Sequence, residues 1–215
     1  MSFIITLKMK YFILFIGLIA MGMSSCKDKN EKVRVTPITT KTNTPIPKLL
    51  PNKAPIINII DTVEIKRMVL CIKDSAATNE ILNGKLAAIF NKKLPDAIML
   101  GKLKIMGEPI VWYKSKKAPY FFQAGIPVDK APLQLSKEMF ITKTGGDSAF
   151  VAHFFGPNEL TGVGYDALNE MMKEKNKKKT TASYEVYTDN KFLELNKKKD
   201  PYKLQTDIVM PYKRK

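Results

Sequence analysis

Prolines stand at positions 37, 45, 47, 51 and 55. Each fixes φ and removes a backbone donor, so none suits a helix interior or a central strand. At that density the stretch from Lys27 to about Ile60 reads as a partly extended tether. The folded part of the chain must then be built from the residues C-terminal to it, with its boundary expected at Thr62.

The segment N-terminal to the tether has a different pattern. Residues 8 to 26, "KMKYFILFIGLIAMGMSSC", run from basic to apolar to small. That is the order of a secretory signal, to be kept out of fold reasoning. Its apolar core of about 13 residues would rise about 20 Å as a helix, short of the roughly 30 Å hydrocarbon layer. The ending "MSSC" resembles the lipobox of bacterial lipoproteins, with Met23 where an aliphatic residue is usual. The resemblance implies cleavage before Cys26 and acylation of that cysteine, with either Met1 or Met9 as the start. The expected organisation is a signal at 1–25, a lipidated tether at 26–61 and a domain at 62–215, held in the cell envelope at either membrane. Acyl chains anchor at about 0.8 kcal/mol per buried methylene.

Cysteine use agrees with export, since the chain has Cys26 and Cys71 only. With Cys26 lipidated, Cys71 in the apolar run "MVLCI" has no disulfide partner and reads as a small buried hydrophobe. One histidine and one free thiol do not assemble the usual zinc sites, and no metal or other cofactor is expected.

Charge excludes another class. Lys and Arg number 36 against 20 Asp and Glu, a formal net charge of +16. The arginines, however, are Arg34, Arg67 and Arg214 alone, and the runs "KEKNKKKT" and "NKKKD" contain no aromatic residue. Nucleic-acid sites use the planar guanidinium and stacking rings. A solvated lysine surface explains the charge, and nucleic acid is not an expected partner.

Within the domain, "TVEIKRMVLCI" (62–72) reads as a strand covered on at least one face. "DSAATNEILNGKLAAIFNKK" (74–93) reads as an amphipathic helix, with Ser75, Thr78 or Asn79 as its cap and Ile81, Leu82, Leu86, Ile89 and Phe90 on one side. "EPIVWYKS" (108–115) and "APYFFQAGIPV" (118–128) bracket a lysine-rich turn. In "KEMFITKTGGDSAFVAHFFG" (137–156), Gly145, Gly146 and Asp147 are expected to turn two alternating runs into an antiparallel pair. A helix comes next, to about Asn176, weakened by Gly162 and Gly164 by about 1 kcal/mol each. A strand containing Glu185 and a last one, "YKLQTDIVMPY" (202–212), complete the order. Strand, helix, strand, strand occurs twice, which predicts an α+β domain: two helices against a largely antiparallel sheet, with a central groove between the halves.

The motifs "GEPIVWY", "FFQAGIPV", "AHFFGP", "YEVY" and "LQTDIVMPY" together resemble the GyrI-like effector-binding domain, the ligand-binding module of AraC-type and MerR-type multidrug regulators. The resemblance covers about residues 62 to 213. It implies tandem strand-helix-strand-strand units, a small-molecule ligand in the groove between them, and the acid of "YEVY", Glu185, as the pocket carboxylate. Tyr187, two residues on, shares its strand face. Trp112, Tyr113, Tyr120, Phe122 and Phe155 are candidates for the pocket wall, each of them equally suited to the core. A carboxylate among rings suits an organic cation. Gln123 stands where many members carry an acid, and no helix-turn-helix is expected before the domain.

Three functions stay open. The first is a membrane-anchored module that binds a small apolar or cationic molecule. The second is a hydrolase of reactive small molecules, with Glu185 as general acid or base and Tyr187 or Tyr113 orienting it. The third is an envelope scaffold whose groove is filled by side chains. His153, in "VAHFFG", reads as structural.

Overall fold

A computed structural model describes residues 53–189 and 199–213; the signal, Cys26 and most of the tether lie outside these residues. Eight strands form one sheet: β1 (Ile56–Val63), β2 (Arg67–Ala76), β3 (Ile110–Tyr113), β4 (Tyr120–Val128), β5 (Met139–Thr144), β6 (Ser148–Phe155), β7 (Tyr184–Val186) and β8 (Gln205–Tyr212). Every pairing is antiparallel. The order β1-β6-β8-β7-β3-β4-β2-β5 is palindromic about the β7–β3 junction, matching two strand-helix-strand-strand units. The fold is α+β, as the element order predicts.

The structure corrects the sequence reading in several places. The run 62–72 is not one strand: Thr62 and Val63 end β1, which begins at Ile56 and pairs along its whole length with β6, and β2 begins at Arg67. Pro55 stands just outside β1 and is no obstacle. The first helical run reaches Leu100 rather than Lys93. The runs on either side of Gly145-Gly146 are strands, but they do not pair with each other: β5 pairs with β2, while β6 pairs with β1 and β8. Both glycines have positive φ, 81° and 92°. They form a link between the two halves rather than a hairpin.

That link and its counterpart set the curvature of the sheet. Only Glu64, Ile65 and Lys66 separate β1 from β2, yet five strands lie between them in the sheet. On a flat sheet the gap would be roughly 29 Å at about 4.8 Å per strand. Three linking residues reach at most about 14 Å. The sheet must therefore roll up until the two links meet. There, Gly146 N–H donates to the Glu64 carbonyl at 2.7 Å and Glu64 N–H to the Asp147 carbonyl at 3.0 Å. A Cβ on Gly145 would stand 2.0 Å from the Ile65 carbonyl oxygen.

Rolling gives the sheet an inner and an outer face. The inner face packs Val69, Cys71, Ile110, Ala149, Val151, Tyr184, Val186 and Val209. The small residues fit the tight radius: a Cβ on Gly125 would lie 2.5 Å from Cys71 Sγ. The outer face carries the helices. Over one half lies a helical run of α1 (Asn79–Ala88), a π-helical turn (Ile89–Lys93) and α2 (Leu94–Leu100). Thr78 caps it, accepting from Ile81 N–H at 3.3 Å. Pro95 accounts for the widened turn, since its ring would collide with the carbonyl four residues back and it offers no N–H. The helical run thereby continues past Lys93. Over the other half lies α3 (Thr161–Glu174), with Leu168 and Met172 against Phe154, Ile208 and Met210.

Candidate functional site

Glu185 is opposite Val111 of β3 and Ile208 of β8, at the junction of the halves. Val111 and Ile208 belong to the clusters beneath the helices, so Glu185 points to the outer face. Its exposure is 0%. A carboxylate taken from water must be bonded by the protein, and this one is. Tyr187 OH donates to Oε2 at 2.8 Å. Because Tyr187 spends its hydrogen there, its oxygen accepts from Tyr113 OH, at 2.8 Å. Lys116 Nζ donates to Oε1. The same ammonium donates to Thr161 Oγ1 at 3.3 Å, and Thr161 in turn to the Asn158 carbonyl at 2.9 Å. It also lies 4.0 Å from the centre of the Tyr113 ring and 4.9 Å from that of Tyr165. Tyr165, four residues after Thr161 on α3, is close enough to feel the Glu185 charge.

Burial, followed by the negative charge of Glu185, pushes the Tyr113, Tyr165 and Tyr187 phenols above their ordinary range. They remain neutral donors around the acid. Phe90, placed by the π-helical turn, packs on the cluster from the helix side, edge to face with Tyr187 at 6.5 Å between ring centres.

Above this cluster lies a cavity of about 200 Å³. The first turn of α1 supplies Asn79 and Leu82, the approach to α3 supplies Asn158, Glu159, Thr161 and Gly162, and the β3–β4 hairpin supplies Tyr113, Lys116 and Tyr120. Asn79 Nδ2 donates to Glu159 Oε1 at 3.4 Å, bridging the two helix starts. Lys116 thus has two sides: one covers Glu185 and the other is cavity wall.

The candidates from sequence separate by face. Glu185, Tyr187, Tyr113 and Tyr120 come together at the junction. Phe122 is on the same face, but it is buried under the first helix rather than in the cavity wall. Trp112 alternates to the inner face, with its ring 5.5 Å from that of Tyr184. It is core, not pocket. Phe155, next to helix-facing Phe154, is at the far end of β6 opposite Ile56 and also lies away from the cavity. Gln123 points inward, its Nε2 3.4 Å from Cys71 Sγ, so an acid there would not be beside Glu185. His153 is held by Asp207, Nδ1 to Oδ1 at 2.7 Å, away from the cavity.

Lys116, Thr161 and Tyr165 were not candidates. The 161/165 spacing shows one helix face, and Lys116 is in a visibly lysine-rich turn. Their convergence depends on β3 lying beside β7, which local pattern does not contain. Among the described residues no cluster of His, Cys, Asp and Glu could hold a metal ion. No helix among them is long and apolar enough to cross a membrane.

No protein-family model matches the chain, and no curated protein matches it. Solved structures do. The crystal structure of the EcmrR C-terminal domain superposes with a TM-score of 0.59 at 12% identity, covering 76% of this chain and 100% of that one. EcmrR in a cryo-EM complex with DNA gives 0.56 at 12% identity, covering 75% of this chain. This chain spans 58% of the length of that EcmrR chain. A hydrolase from Listeria innocua gives 0.46 at 9% identity over 72% of this chain and 91% of that one, too distant to bear on activity. The chain shares the fold of the EcmrR C-terminal domain.

Proposed function

We propose that the chain is a small-molecule-binding module of the GyrI-like effector-binding type, anchored in the cell envelope by lipid on Cys26. One observation carries the binding reading: a cavity at the junction of the two halves whose wall includes Lys116, the ammonium that covers the fully buried Glu185 carboxylate. Buried ion pairs are a poor source of stability, and replacing them with apolar residues is often neutral or better. A pair placed under a cavity is better explained by recognition. The cavity also counts against a scaffold with a filled groove. Catalysis by Glu185 is less well supported, because Lys116 stands between the carboxylate and the cavity.

A thermal-shift screen of one-ring and two-ring compounds, cationic and uncharged, tests binding. Hits are expected to raise Tm by a few degrees. They should lose at least fivefold in affinity in Glu185→Gln, which unmoors Lys116, while cooperative unfolding is kept. A screen without hits, or hits indifferent to Glu185→Gln, would sink the proposal.

The anchor rests on the lipobox-like "MSSC". Cys26→Ser is expected to abolish labelling by radioactive palmitate and to release the protein from the membrane fraction. Unchanged labelling would refute lipidation at Cys26.

A further inference from the structure

A carboxylate with 0% exposure, a hydroxyl at 3.3 Å and two ring faces at 4.0 and 4.9 Å make a shell for a cation that is open only toward the cavity. Carboxylate and aromatic faces are what recognise an organic ammonium group. Here the shell is filled by the chain's own ammonium. Lys116 is in the short segment between β3 and β4, which are paired with each other, so its head group has nowhere far to go. A group tethered this closely competes at an effective concentration in the millimolar range or above. A free cation would have to displace it, approaching against its charge. The Lys116 side chain is 32% exposed, and its open side is cavity wall. An ammonium has three hydrogens. Glu185 and Thr161 take two, which leaves one for a molecule in the cavity.

We infer that Lys116 is the resident cation of the Glu185 site, and that the cavity admits an uncharged, ring-bearing molecule presenting a carbonyl or hydroxyl oxygen to it. This rests on the small-molecule reading of the cavity. Leu82 and the Tyr113 and Tyr120 rings supply the apolar wall. An apolar cavity of about 150 Å³ takes up benzene. The cavity here, about 200 Å³, suits a single ring with a small polar substituent.

Three one-ring probes of differing charge test this: acetophenone, benzoate and benzyltrimethylammonium, titrated by NMR into the wild type, Lys116→Met and the double variant Lys116→Met/Glu185→Gln. Wild type is expected to bind acetophenone at least tenfold more tightly than the cation. Lys116→Met should gain at least tenfold for the cation, and the double variant should lose that gain. Acetophenone binding with a cation affinity unmoved by Lys116→Met overturns the inference and leaves the binding reading standing. A wild-type preference for benzoate overturns the uncharged class. No binding of any probe by any variant removes both.

Should Lys116→Met fail to fold, amine acylation of the wild type followed by mass spectrometry decides. Lys116 is expected to label at least fivefold more slowly than Lys114 and Lys117. Equal rates would show that the ammonium is not held and would overturn the inference.

Discussion

Four tyrosines and one cysteine feel the burial that makes Glu185 need its partners. Desolvation, then the nearby carboxylate, raises the phenols of Tyr113, Tyr165 and Tyr187. Tyr184 and Cys71 are each pushed up to about 12, chiefly by burial. The sign comes from linkage. In the unfolded chain these groups release protons near their ordinary values of about 8.5 for cysteine and 10 for tyrosine, while the folded protein keeps them neutral. Their contribution is therefore complete below pH 8.5 and is lost as pH rises toward 12. Urea midpoints are expected to fall steadily from about pH 9 to 11, with phenolate absorbance from these four tyrosines appearing only on unfolding. A midpoint unchanged to pH 11, or four phenolates titrating in the native protein, contradicts the burial described.

Helices and strands here are decided by what they pack against as much as by propensity. Gly164 looks like a defect in α3 by propensity alone. A Cβ there, however, would stand 2.5 Å from Cδ1 of the fully buried Ile208. The glycine lets the helix approach the sheet beside Glu185. Gly84, exposed in α1, has nothing within 4 Å of its would-be Cβ. Gly84→Ala is expected to stabilise by about 0.5–1 kcal/mol, and Gly164→Ala to destabilise by about 1–2 kcal/mol through overpacking, both measured by urea denaturation. Stabilisation by both would mean that the α3 seat is soft. The same distinction explains the misassigned hairpin. Alternation around Gly145-Gly146 correctly reports two strands, but a positive-φ turn does not say whether its strands pair with each other or with distant ones.

Across the whole molecule, the tandem units and the helices were legible, because each is written in local pattern, whereas the acid's place at the groove came from the family resemblance. An acid between tyrosines in a strand is visible, and alternation by two assigns Tyr187 to its side. Which face of that strand meets the cavity was not legible. Trp112 and Tyr113 are neighbours of similar character, and only the roll of the sheet puts one in the core and the other at the site. Lys116 was hidden for the same reason, its partner being 69 residues away. The short links that cause this roll also impose an order in time. Val63 pairs with Ser148 and Ile56 with Phe155, so the first strand has its partner in the second half of the chain. At about 5–20 residues per second, a strand synthesised about 90 residues ahead of its partner waits roughly 5–20 s. During that interval Ile56, Ile57, Ile59 and Ile60 form an apolar segment with no sheet to join. A nascent chain must be kept from pairing there until its second half has arrived.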